Sequence, residues 1–305
     1  MPNCTVSGYQ HAAYAAALFE YGGPRHLSAC DGWILVSPIP DRPWFDARGC
    51  YPLFSCKNWA NLHADLDSMH DLVSLVLVAD PFGNHTRGDL ERCFPELCRP
   101  YKEHYVIDLG RPLPELLGGP HARNIRKALQ QVQVEQCGSP QQFAREWTAL
   151  YAALVERHQI KGLSDFSDAT LEKQLGVPGT VAFRAISEGV TIGMILWYVQ
   201  GDVGYYHLAA YNDFGYELRA SFALFARSIE FFSNRLRFLN LGAGAGVYNS
   251  SEDGLTRFKR GWSTGTRTAY LCGRVFDHQK YDQLVRAKCG LATDYFPPYR
   301  KGEVR

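Results

Sequence analysis

The sequence predicts a mixed α/β (α+β) protein built in two halves, and three observations carry that reading. The apolar run LVSLVLVA at 72–79 has the length of a buried strand and is too short for the ~20 residues of a membrane helix. Pro112, Pro114, Gly118, Gly119 and Pro120 then crowd together and mark a break in composition. After that break VAFRAISEG, VTIGMILWYVQGD and VGYYHLAAYN alternate with period 2 around Glu188-Gly189 and Gly201-Asp202, the pattern of an antiparallel meander.

In order, 33–40 reads as a strand, Cys56 to His70 as an amphipathic helix, 72–80 as a fully buried strand and 104–109 as another. The break places a boundary at 120, dividing the chain into 1–120 and 121–305. Helices are expected at 121–132, 140–158 and 167–175, the last capped by Ser167 and stopped by Pro178-Gly179. Beyond the meander follow a helix at 216–234, a strand at 238–241, a short helix at 253–261, a strand at 267–273 and a helix at 277–288.

Composition narrows the classes of function. With 305 residues, 46% hydrophobic and 13% aromatic, the chain is too apolar for a disordered scaffold. A net charge of +1 means that a polyanion must be met by a local patch rather than by a long-range field. No DNA partner is expected. Nine scattered cysteines are odd in number and form no framework, so reduced thiols and a cytoplasmic protein are expected. The N-terminus has no basic n-region, and neither a signal peptide nor a membrane span is expected.

Several residues invite chemistry. Gly242-Ala-Gly-Ala-Gly246 follows a strand but lacks the Lys-Ser/Thr of a P-loop and the βαβ context of a dinucleotide fold. It serves either close packing at a splayed strand end or a substrate channel lined by bare backbone. Cys93 and Cys98 have no second ligand pair, so no metal is expected. Strict alternation puts His207 on one strand face with Tyr205, Ala209 and Tyr211, where proton transfer is plausible chemistry. Arg123, Arg126 and Lys127 share a helical face, and Arg257, Lys259 and Arg260 form a second basic group. Either group is a solvated surface or, together, a clamp for an anionic ligand.

From about 121 to 276 the chain resembles the Fem-like branch of the GNAT fold, the non-ribosomal peptidyltransferases of peptidoglycan cross-bridges and their biosynthetic relatives. RNIRKAL (123–129), GYYHLAAYN (204–212), ASFALFARSIEFF (220–232), FLNLGAGAG (238–246) and above all DGLTRFKRGW (253–262) carry the resemblance. It implies tandem GNAT-like halves, each with a mostly antiparallel central sheet flanked by helices, with strand 204–212 splaying from 238–241 to open an acyl channel. It also implies an acyltransferase that carries an activated acyl group to an amine by direct attack, without an acyl-enzyme.

In such an enzyme Phe258 and Lys259 flank the reacting carbonyl and Arg123 and Lys127 contact the anion, while His207, from its strand face, is the further catalytic candidate. Tyr206, Tyr211, Asn240, Gly242, Gly244, Arg257, Arg260 and Trp262 would line the substrate. Lys259, on a polar helix end, is expected outside the core. No bound cofactor is expected. The connection NDFGYELRA (212–220) holds one glycine where CoA-dependent relatives cradle pyrophosphate, so the expected donor is aminoacyl-tRNA, with acyl-CoA or a carrier-protein thioester as the alternative. The expected acceptor is a small-molecule or peptide amine. A binding protein that kept the fold without its chemistry is the alternative of another class.

Overall fold

The computed structural model describes residues 6–244, 254–288 and 293–302. The Gly-rich run from Ala245 onward and Asp253 lie outside these residues. The chain forms two compact units: the first comprises Tyr9–Tyr101, Lys161–Phe166 and the chain from Thr268, the second the chain up to Gly8, Lys102–Ile160 and Ser167–Arg267.

The first unit opens with α1 (Ala12–Ala17), β1 (Gly23–Leu27), β2 (Gly32–Pro38), β3 (Phe45–Gly49), α2 (Leu62–Asp67), β4 (Leu72–Val78) and α3 (Arg87–Cys93). β4 is the apolar run, buried along most of its length as its composition demands. α2 is shorter than the expected Cys56–His70 helix. At the start of that expected span Cys56 instead bridges to Gly32, and Trp59–Asn61 form a 3-10 turn leading into α2. Thr86 and Asp89 close a capping box at the start of α3. Phe54, Leu62, Leu66, Leu75 and Phe94 fill the core.

The second unit holds β5 (Leu97–Asp108) from Lys102 on, then α4 (Leu113–Gly118), α5 (Ala122–Leu129), β6 (Gln133–Cys137), α6 (Ala144–His158) and α7 (Asp168–Leu175). There follow β7 (Thr180–Ser187), β8 (Val190–Gln200), β9 (Val203–Tyr211), α8 (Asp213–Glu217), α9 (Ala220–Phe232), β10 (Phe238–Asn240) and α10 (Gly254–Trp262). Its strands run in the order β5-β10-β9-β8-β7-β6, antiparallel except for β10 beside β9. Ser167 caps α7 as expected, its Oγ accepting the Thr170 N–H at 3.2 Å.

The chain then returns to the first unit through β11 (Gly265–Val275), from Thr268 onward, and α11 (His278–Lys288). There β11 lies antiparallel to β4, completing the order β1-β2-β3-β4-β11, in which β3 and β4 form the parallel pair. The chain passes between the units at 8/9, 101/102, 160/161, 166/167 and 267/268, and not at the Pro/Gly cluster. That cluster builds α4, with proline in the first helical turn where its missing N–H costs nothing.

In the second unit one large core lies under α9. Trp197 is fully buried, its ring edge-on to Phe225 and Phe232, and its Nε1 donates to Ser228 Oγ at 3.1 Å. Each such aromatic contributes about 1.5–3 kcal/mol by burial.

β10 pairs with β9 only at Phe238↔Val203, Leu239↔Gly204 and Asn240↔Tyr205. Beyond Asn240 the chain stays with β5, Leu241 N–H donating to Tyr105 O at 2.9 Å and Tyr105 N–H to Gly242 O at 3.0 Å. β9 continues to Tyr211 past the last of its β10 partners. β9 and β10 thus stay paired through Tyr205 and Asn240 and part beyond them.

Candidate active site

The site is built where β10 parts from β9. Asn240, the last residue of β10, is 2% exposed, and its Oδ1 accepts the Gly242 N–H at 2.9 Å. That turn sets Gly242 at φ +70, a conformation that favours glycine. The same Oδ1 lies 3.1 Å from His104 Nδ1 on β5. Asn240 Nδ2 is buried with no partner among the described residues, a donor left for something else to meet.

Lys259 projects from α10 onto this turn. Its Nζ donates to Ala243 O at 2.6 Å and lies 5.3 Å from the centroid of the Tyr206 ring, whose electron-rich face attracts a cation. At 6% exposure it is buried, which corrects the expectation of a polar helix end. Thr256, Lys259 and Trp262 recur every third residue of α10 and form its inner face, leaving Arg257 and Arg260 exposed.

Phe258 belongs to an aromatic group. Its ring is 5.2 Å from Phe222, 4.9 Å from Phe225 and 5.5 Å from the His121 ring, which lies at 29° to it. Trp262, expected to line the substrate, is instead a core residue at 3% exposure, stacked on Phe225 at 5.6 Å. Gly261 is required by close approach, since a Cβ there would meet His121 Nε2.

His207 does not join this group. A bulge in β9 pairs Tyr206 with Trp197 but Leu208 with Leu196, leaving His207 as the extra residue and reversing the alternation there. Tyr206 therefore packs on Phe225 and Tyr211 on Tyr216, while His207 turns to the other face, stacked on Tyr198 at 4.3 Å with Nε2 3.1 Å from Gln174 Oε1. Burial pushes its pKa down to about 3. Tyr206 and Tyr211 have phenol pKa values raised by burial.

Arg123, Arg126 and Lys127 are exposed on α5, whose buried side is Ile125 and Ala128. His121, the residue before that helix, reaches Phe258 O on α10 at 3.0 Å, so the two basic groups sit on neighbouring helices. Gly244 is half-buried at the end of the described Gly-rich run. Sequence reasoning missed His104 and His121. Each is a single histidine in an otherwise ordinary strand or helix start, and only the pairing with Asn240 and Phe258 singles them out.

No protein-family model and no curated protein matches the chain. Among solved structures the chain is similar to FemX, with 12% identity over 91% of this chain and 94% of that one and a TM-score of 0.67. Its fold is the one seen in FemX. It is also similar to the C-terminal domain of a putative lysylphosphatidylglycerol synthetase from Agrobacterium fabrum, at 12% identity, 91% of each chain and a TM-score of 0.57. L-PGS from Bacillus licheniformis matches at 16% identity, 90% of this chain and 94% of that one, with a TM-score of 0.55. The Fem-like fold covers both halves, although the sequence resemblance spans only the second. Among the described residues no helix is long and apolar enough to cross a membrane.

Proposed function

We propose that this protein is an N-acyltransferase that moves an aminoacyl group from aminoacyl-tRNA to an amine of a small molecule or peptide, forming an amide. The observation that carries the reading is Lys259 held at the splay of β9 and β10, its ammonium bonded to Ala243 O beside the Asn240–Gly242 turn. The amine attacks the donor carbonyl directly. Lys259 stabilises the oxyanion as it forms, and Asn240 Nδ2 is the second donor available there. None of the free cysteines is needed as a nucleophile.

Two features support a tRNA donor over acyl-CoA. Exposed Arg123, Arg126, Lys127, Arg257 and Arg260 stand on neighbouring helices and offer phosphate contacts. The connection from β9 to α9 is filled by α8, capped by Asn212 Oδ1 on Gly215 N–H at 2.8 Å, and Arg219 rather than a glycine enters α9 at φ 58. That entry offers no glycine-lined cradle for pyrophosphate. Free buried thiols suit action in the cytoplasm.

The test supplies the purified protein with charged tRNA and with acyl-CoA in separate reactions. Deacylation of charged tRNA that is amine-dependent and RNase-sensitive is the expected result, weakening with salt by a log–log slope of about −0.7 per phosphate contact. Turnover with acyl-CoA alone, unchanged by RNase, overturns the donor assignment.

A further inference from the structure

The site described above has an electrophile stabiliser and no assigned proton acceptor. His104 lies on β5 and is 7% exposed. Its tautomer follows from its neighbour. Asn240 Oδ1 already accepts the Gly242 N–H at 2.9 Å, and turning the amide would set Nδ2 against that N–H. An oxygen therefore faces His104 Nδ1 at 3.1 Å, so Nδ1 carries the proton and Nε2 the lone pair. That bond uses Nδ1 and leaves Nε2 outside it, and Nδ2 of the same Asn240 amide is buried with no partner among the described residues. An oriented base and an unfilled donor next to Lys259 are what an incoming amine and carbonyl would complete.

Resting on the acyl-transfer reading, we propose that His104 is the catalytic base of this site, Nε2 taking the proton of the attacking amine and passing it to the departing oxygen of the donor. The nitrogen lone pair forms the C–N bond and the carbonyl π pair moves to oxygen. The ammonium proton goes to Nε2. On collapse the oxyanion pair re-forms the carbonyl, the C–O bond to the donor ribose breaks with its electrons on the ribose oxygen, and the imidazolium protonates that oxygen. Imidazole is neutral again at the end, and the products are amide and free tRNA hydroxyl. Burial, opposed by the Asn240 hydrogen bond and aided by the charges of Lys259 and Lys102, lowers the His104 pKa to about 4. The base is therefore uncharged at neutral pH, and its conjugate acid is strong enough to protonate a leaving alkoxide.

The decisive variant is His104→Asn, whose amide N–H replaces Nδ1 toward Asn240 while nothing replaces Nε2. Both proteins are assayed with charged tRNA and acceptor amine, with circular dichroism and the thermal midpoint as folding controls. A fall in kcat of about 10²–10⁴-fold at unchanged KM for charged tRNA, partly restored by added imidazole, is expected. Wild-type kcat in the variant overturns the assignment, as does a loss that imidazole leaves untouched and that tracks weaker donor binding. His104→Gln repeats the measurement if the asparagine variant does not fold. A wild-type protein inactive with both charged tRNA and acyl-CoA defeats the acyl-transfer reading itself. Activity with acyl-CoA alone defeats only the donor, and the His104 comparison then runs on that donor.

Discussion

His121 Nε2 donates to the carbonyl oxygen of Phe258 at 3.0 Å while the two rings lie 5.5 Å apart and nearly parallel. One side chain thereby fixes both the backbone and the ring of the residue that precedes Lys259. Burial lowers the His121 pKa against the opposing Phe258 bond, so the neutral donor form prevails near neutral pH.

His121→Phe keeps the stacked ring and removes the donor. It should cost about 0.5–1.5 kcal/mol of stability in denaturant melts and lower kcat more than it raises KM, because the displaced part is the helix carrying Lys259. Unchanged kcat would detach His121 from the positioning of α10.

Lys259→Ala should reduce kcat by about 10²-fold or more, the scale of losing one oxyanion donor. Because Lys259 is buried at 6% exposure, the thermal midpoint must be measured alongside. Lys259→Arg keeps the charge but must fit a planar fork where a point charge bonds Ala243 O, and should remain well below wild type. Wild-type kcat in Lys259→Ala removes this residue from the mechanism.

Stability should fall on mild acidification. His207 has a native pKa near 3, below the ~6.5 of an unfolded histidine. Between those values the unfolded chain binds a proton that the native state refuses, so stability is lost as pH drops through that window, by up to about 1.4 kcal/mol per pH unit for such a group. His207→Gln should show a flatter pH dependence of the midpoint of urea denaturation between pH 6 and pH 4. An equal slope in both proteins would assign the acid sensitivity elsewhere.

In the first unit Asp46 and Arg300 form a buried pair, Nη2 to Oδ1 at 2.7 Å and Nε to Oδ2 at 2.9 Å, with Tyr299 Oη donating to the same carboxylate at 3.0 Å. Asp46→Ala leaves a guanidinium buried without its partner and should cost about 3–5 kcal/mol in a chemical melt. A loss below about 1 kcal/mol would mean that water reaches Arg300 freely.

Long apolar or strictly alternating segments were legible in the sequence. β4, β7, β8 and β9 stand where LVSLVLVA and the meander predict them, because burial demands their composition. β6 was not, since QVEQC is half polar and is held at the sheet edge partly by Glu135 bonded to Arg184 at 2.8 Å. For the site, Phe258, Lys259 and Asn240 were readable through a motif. His207 was misplaced because an extra residue in β9 reverses the period on which face assignments depend. His104 and His121 owe their significance to partners more than a hundred residues away, Asn240 and Phe258, and no local pattern encodes such a meeting.

The return of β11 to β4 bears on how this chain matures on the ribosome. Synthesis yields β1 to β4 first, but the strand that covers the far edge of β4 and the arginine that neutralises Asp46 emerge only after the second unit has been made. The nascent first unit must wait with an open apolar edge, the kind of surface that invites wrong pairing or chaperone capture. Truncation after 267 should therefore harm the first unit, although its other strands are made long before, and a circularly permuted chain that places 268–302 before Tyr9 should relieve the delay.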